Sequence, residues 1–259
     1  MNPIPGAVLA LALATLGCGE PSSAPAGRSR DWPAYLGGAD RAQYSPGTEI
    51  TPANVSRLEL AWTYHAGGAD SANRSQIQCN PIVVDGVLYA TSASLAAFAV
   101  DAATGNEIWR FDPFAEGFRL FGLGVNRGLT HWGAGDSARI FFAAGDRLWA
   151  IDAGTGKPIT SFGDEGSIDL HQGLDAGAAE LFVVSNTPGV VYRFSRARDL
   201  ARSSGRRRAQ RDKFSRVRDL ARSSGRRRAQ RDKNLLILGS RVAESLPAAA
   251  GDVRAFDVE

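Results

Sequence analysis

The chain has 259 residues, 44% hydrophobic and 22% charged, with 29 Gly, 12 Pro and two Cys, which supports a packed core and excludes a disulfide scaffold, a collagen-like repeat and a wholly disordered chain. Its formal net charge of +3 misleads, because 16 of the 30 basic and 4 of the 27 acidic residues sit in one duplicated segment, leaving 14 basic and 23 acidic residues elsewhere, net −9. Basic charge therefore belongs to that segment, and an acidic partner is not to be assigned to the fold.

In chain order, the apolar run Ala7 to Gly17 is eleven residues, too short to span a bilayer and suited to the core of a signal peptide. Cys18 follows Leu16-Gly17, as in the lipobox of bacterial lipoproteins, although no Lys or Arg precedes the apolar run and Thr15 stands where Leu is usual. Two readings stay open for residues 1–18: a lipoprotein signal with Cys18 as membrane anchor, or an ordinary cleaved signal. Both place the chain in the periplasm, with residues 19–30, rich in Pro, Ser, Ala and Gly, as a tether. Cys79 then has no internal disulfide partner and reads as a small buried hydrophobe.

Asp31 to Pro46 is Gly-rich and aromatic without periodicity, hence a structured loop. Thr51 to His65 becomes an alternating strand with Leu58, Leu60, Trp62 and Tyr64 on one face. NPIVVDGVLYATS is a hairpin: Ile82 to Val84, an Asp85-Gly86 turn, then Val87 to Thr91.

The pattern AVDAATGNEIWRF, Ala99 to Phe111, recurs as AIDAGTGKPITSF, Ala150 to Phe162, and a third partial copy, AFDVE, occupies the last residues. In each full copy an apolar strand ends at an Asp whose carboxylate can accept the backbone N–H groups just beyond it, and a Thr-Gly turn supplies the positive φ that reversal needs. Trp62 and Phe162 are matched to the place of Trp109, and all three rings are read as packing residues. The spacing from Asp101 to Asp152 is 51 residues, right for four short strands per propeller blade, with two unrelated hairpins of a β-sandwich as the alternative. Arg139 to Asp152 is the next hairpin, turning at Gly145-Asp146, and Glu116 to Ser137, carrying Arg127, His131 and Trp132, is a candidate site loop.

Phe194 to Lys213 is repeated almost unchanged as Phe214 to Lys233, and joining Arg193 to Asn234 restores TPGVVYRNLLILGS, a second strand–turn–strand. The insert therefore interrupts a hairpin at its turn, where extra chain costs little. It is either a nucleic-acid or anionic-surface patch or a solvated duplication without a selected role; with two Phe for stacking and no reader fold around them, no nucleic-acid partner is expected.

The Asp31 to Ser45 opening, NPIVVDGVLYATS, the D-x-x-T-G turns and NRGLTHW together resemble the N-terminal part of the pyrroloquinoline-quinone-dependent dehydrogenases, of the membrane-bound glucose and alcohol dehydrogenase type. The resemblance implies an all-β fold, a partial β-propeller of about three four-stranded antiparallel blades out of eight. It divides the chain into blades over 31–193, the insert over 194–233 and the start of a further blade over 234–259. It implies pyrroloquinoline quinone and calcium as cofactors, a sugar or alcohol as substrate and a quinone or cytochrome as electron acceptor. Residue by residue, it implies that Arg127 pairs with the quinone's carboxylate and carbonyl oxygens, that Gln76 lies at the cofactor edge, and that Ser185 or Thr187 supplies a hydroxyl. The GSRVAE segment, with Arg241 and Ala243, would lie against the ring, and Glu244 would ligate calcium. No catalytic base is found before Glu259, so the polypeptide alone is expected to lack dehydrogenase activity. Two other functions are carried: a non-catalytic propeller lipoprotein acting as a binding scaffold, and a basic module defined by the insert.

Overall fold

The computed structural model describes residues 31–38, 40–69, 75–115, 125–174, 181–194, 233–239, 241–242 and 253–258. The signal and tether assigned to 1–30, the body of the insert at 195–232, and Ala243 and Glu244 lie outside them.

Short apolar strands dominate the described residues, and they assemble into antiparallel sheets in chain order. β1 (Ile82–Val84), β2 (Val87–Thr91), β3 (Ala97–Asp101) and β4 (Glu107–Phe111) form the first four-stranded sheet. β5 (Thr130–Trp132), β6 (Arg139–Ala144), β7 (Arg147–Asp152) and β8 (Ser167–Asp169) form the second. β10 (Val190–Phe194), β11 (Lys233–Gly239) and β13 (Val253–Asp257) form a third, of three strands among the described residues, while β9 (Val183–Val184) pairs with β12 (Arg241–Val242). The molecule is an all-β partial propeller, with four-stranded antiparallel blades in the first two sheets.

The D-x-x-T-G turns behave as their chemistry requires. Asp101 Oδ1 accepts the N–H of Ala103 at 3.0 Å, the N–H of Thr104 at 2.8 Å and the Thr104 hydroxyl at 2.8 Å. Asp152 repeats the set with Gly154 and Thr155. These bonds, the Thr104 hydroxyl first, hold the Asp101 carboxyl below its ordinary range. Gly105 (φ +74°) and Gly156 (φ +70°) close the two turns in the left-handed region. The lack of a Cβ matters a second time. A Cβ on Gly105 would stand 2.6 Å from the Trp62 ring, and one on Gly156 2.6 Å from the Trp109 ring. Each indole lies flat on the turn of the following repeat and donates its N–H one residue past the Asp, to Ala102 O at 3.2 Å and Ala153 O at 2.8 Å.

Between the first two sheets, Ile82, Tyr89, Ala99 and Trp109 meet Ile140, Phe142, Ala144, Trp149 and Ile151. Between the second and third, Phe141, Leu148, Ala150 and Phe162 meet Leu236 and Leu238. Complete burial of such side chains contributes about 1.5–3 kcal/mol each, so these layers are the main stabilising term.

Four expectations are corrected. Trp62, Tyr64 and Ala66 pack on the first sheet, but Leu58 and Leu60 are 61% and 83% exposed, because only the stretch beside Ala90, Phe98 and Val100 has a face to bury. Phe162 does not stand where Trp109 does: the chain leaves the ladder after Ile159, whose N–H still bonds Ala150 O, and makes a turn before β8 rejoins. Phe162 sits in that turn, packed edge-on against Phe141 at 5.5 Å. NRGLTHW is not wholly loop, since Thr130 to Trp132 form the first strand of the second blade and pair with Arg139 to Phe141. Consequently the Arg139 to Asp152 hairpin holds the second and third strands of its blade, and corresponds to β2–β3 instead of β1–β2.

Around the insert, β10 and β11 pair from Val190↔Ile237 to Phe194↔Lys233. Leu235 pairs with Asp257 as Val87 pairs with Asp101, and Val258 N–H bonds Asn234 O as Ala102 N–H bonds Gly86 O. Phe194 and Lys233, the described residues on either side, therefore lie toward the rim that carries the D-x-x-T-G turns.

Candidate functional site

The opposite rim is where the first strands of the three sheets converge. The chain approaches β1 through Asn80, β5 through Arg127 and β10 through Asn186 and Thr187, and main-chain bonds tie these approaches together. Asn80 N–H donates to Arg127 O at 3.0 Å, and Arg127 N–H donates to Asn186 O at 2.8 Å. Arg127 is thus the central member of a chain of three, held by its backbone alone. Its side chain is exposed, and its guanidinium finds no acceptor among the described residues.

Two neighbours make this placement rigid. Asn126 is 3% exposed; its amide donates to Ala143 O at 2.9 Å and its carbonyl accepts the Gly128 N–H at 2.7 Å. Gly128 follows with φ +154°, and a Cβ there would meet Asn80 O at 3.3 Å, the Tyr35 ring at 3.4 Å and Pro188 at 3.5 Å. Asn and Gly on either side of the Arg therefore serve opposite ends: one anchors the backbone inward, the other lets three segments approach. Trp32, paired main chain to main chain with Val83, brings Tyr35 to this point, and Arg41 lies over the Tyr35 ring at 5.6 Å. Sequence reasoning missed Asn126 and Tyr35; the Asn next to Arg in NRG was the available signal for the first.

The other expected residues fall as follows. Thr187 is exposed on the same approach to β10, and no described residue takes its hydroxyl. Ser185 is 3% exposed and gives its hydroxyl proton to Gly239 O at 2.9 Å. Gln76 is exposed ahead of β1, its side-chain oxygen accepting from Gln78 at 2.6 Å. Arg241 lies in β12, opposite Val184, which brings the start of the GSRVAE segment beside the strand leading to Ser185. His131 pairs with Ile140 in the blade interior, its ring 6.1 Å from that of Tyr89. Burial lowers its pKa despite Asp85 and Asp31, so it is a neutral packing residue at pH 7.

Chemically, the described residues of the rim offer the Arg127 guanidinium, the Thr187 hydroxyl and the Gln76 amide, with the Tyr35 ring and Arg41 beside them. A guanidinium fork with neutral hydrogen-bonding groups beside it is chemically suited to a planar anion.

The family model for the β-propeller domain of glucose, ethanol and alcohol dehydrogenases that use PQQ matches residues 32–195. The quinohemoprotein alcohol dehydrogenase of Comamonas testosteroni is 35% identical over 182 residues, 65% of this chain and 23% of that protein. Quinoprotein glucose dehydrogenase A of Acinetobacter calcoaceticus is 31% identical over 164 residues, 55% of this chain and 20% of that protein. The crystal structure of the Comamonas enzyme superposes with a TM-score of 0.58 at 25% identity, over 90% of this chain and 26% of its own. The chain spans about a quarter of the length of these relatives.

Proposed function

This chain belongs to the PQQ-dependent glucose/ethanol/alcohol dehydrogenase β-propeller family, and from that premise we propose that its three sheets form the quinone-holding arc of a dehydrogenase, with Arg127 as the anchor for the cofactor's acidic edge. The observation that carries this reading is the main-chain stitch Asn80–Arg127–Asn186, which fixes the backbone of Arg127, its guanidinium uncommitted among the described residues, where three blades meet. Pyrroloquinoline quinone, a flat tricarboxylate, supplies two-electron oxidation of a carbinol when bound. The residues present fit it: Arg127 offers a planar fork to carboxylate and carbonyl oxygens, and Gly128 keeps the neighbouring backbone clear of side chain. Asn126 acts through Arg127 as a positioning residue. Of the two hydroxyls left open by the resemblance, Thr187 is the donor we assign, because the Ser185 proton is already given to Gly239 O. Gln76, Arg241 and Ala243 are assigned to the cofactor's surroundings, and Glu244 to a calcium ion, whose preference for carboxylate oxygen supports the choice. Oxidation of a sugar or alcohol hydroxyl, with electrons passed to a quinone or cytochrome, we assign to the whole dehydrogenase and not to this arc by itself. We further propose that it works in the periplasm, with Cys18 as the residue through which a membrane anchor would be attached.

The test is a titration of the purified chain with pyrroloquinoline quinone, with and without calcium, followed by absorbance. Saturable binding is expected. Arg127→Ala should weaken it about 10- to 150-fold, the equivalent of the ~1.5–3 kcal/mol of a charge-assisted hydrogen bond, without shifting the unfolding midpoint. Equal affinity in the variant, or no binding by the unmutated chain, would overturn the assignment.

A further inference from the structure

On the same rim, further from the centre, the second sheet is joined to the third by a side chain that the quinone reading does not use. His171 follows β8. Its Nδ1 lies 2.7 Å from Asp169 Oδ1 and its Nε2 lies 2.8 Å from Leu181 O. A neutral imidazole carries one N–H and can satisfy one of these acceptors; the carbonyl of Leu181 can never donate. Both bonds form together only when the ring is an imidazolium. We infer that His171 is a proton-operated latch between the second and third blades, closed when the ring is charged and released at Leu181 when it is neutral.

The surroundings hold the charge in place. Asp169 also accepts the backbone N–H of His171 at 2.8 Å, and Asp146, in the β6–β7 turn, brings its carboxylate within 4.8 Å of the other two ligand-type groups. The composition of this trio is that of a metal site, but both ring nitrogens already point at oxygen, so the cation that the carboxylates face is the ring itself. The remaining described charges nearby are Arg147, which acts on Asp169 and bonds Ser167 Oγ, and Arg254 on β13, which donates to Gln172 O at 3.1 Å. Burial alone would lower the His171 pKa, but the Leu181 carbonyl and then the Asp169 carboxylate outweigh it and the pKa is raised. Burial would likewise raise Asp169, and the His171 N–H and ring outweigh it, leaving its carboxyl lowered.

Release has a defined direction. A neutral ring keeps its remaining proton on Nδ1, toward the carboxylate, and turns the Nε2 lone pair on Leu181 O, which repels it. Leu181 is two residues ahead of β9, and the chain runs on from that strand to Asn186, whose carbonyl holds Arg127. Deprotonation therefore loosens the entry to the third blade. A folded pKa raised above the unfolded value of about 6.5 gives stability that is complete below that value and is lost as pH rises through the folded pKa. The lowered Asp169 sets the acid side, where the ring loses its charged partner as the carboxylate is protonated while Nε2–H still faces Leu181 O.

The latch does not depend on quinone binding; a chain that failed to take up quinone would still titrate as described. The experiment is heteronuclear NMR of the full chain from about pH 5 to pH 9. The His171 ring is expected to titrate above about 6.5, and the amides from Leu181 to Asn186 to move with the same midpoint. Asp169→Asn should bring that midpoint down, and in His171→Gln the amide movement should vanish. A His171 midpoint at or below about 6.5, or amides from 181 to 186 that ignore it, would overturn the proposal, and the unmutated protein decides this even where a variant does not fold.

Discussion

The first and second blades, and the second and third, are joined at the same place by different chemistry. At the first junction, Trp109 leaves β4, lies on Gly156 and gives its indole N–H to Ala153 O. At the second, the carbonyl one residue past the third Asp is Val258 O, and it accepts from the guanidinium of Arg139, which stands over the Trp132 ring at 5.5 Å. The repeat that should have supplied a Trp has Thr160 at that offset and breaks its outer strand for the turn at Phe162. An orphaned buried carbonyl costs about 1–3 kcal/mol, so the position must be served by some donor. What is retained across the blades is the acceptor, and the donor varies: an indole on a glycine in one case, a guanidinium from the next strand in the other.

The sharpest way to break the comparison is Trp109→Ala, which removes a buried ring and a donor together. We expect it to cost about 3–5 kcal/mol in denaturant unfolding. Arg139→Leu at the other junction should cost about 1–3 kcal/mol, since it keeps aliphatic bulk and strands only the Val258 carbonyl. If the two losses were equal, the guanidinium would be a full substitute for the indole. The change that removes no bonded group should act in the opposite direction: replacing 195–232 by Asn-Gly shortens the connection by about four halvings, each worth ~0.6 kcal/mol of closure entropy, and should raise stability by about 2.5 kcal/mol. A loss of stability instead would show that the insert contributes to the β10–β11 ladder.

The parts that were legible are those governed by near neighbours. Asp85-Gly86, both at positive φ, turn the first hairpin as the dipeptide predicts, and the Asp101 and Asp152 carboxylates find their donors within three residues. The interruption of a hairpin by the duplicated segment was readable for the same reason, since restoring the join restores an alternating strand pair. Arg127 could be singled out only through NRGLTHW, and nothing in that string says that its main chain bridges Asn80 and Asn186. The misplacement of Phe162 has a similar origin: counting aromatic residues cannot show that a strand has left its ladder.

The sequence by itself determined that this is a repeat of short antiparallel strands with Asp-capped turns, because turn and strand preferences act over a few residues and are written in adjacent letters. Only the tertiary structure decided which groups meet. Arg139 is 119 residues from Val258, Trp109 is 44 from Ala153, and His171 joins Asp169 at its side to Leu181 across a blade boundary. Such contacts depend on how sheets stack and where a strand is interrupted, and those follow from burial of whole faces, which no local pattern records.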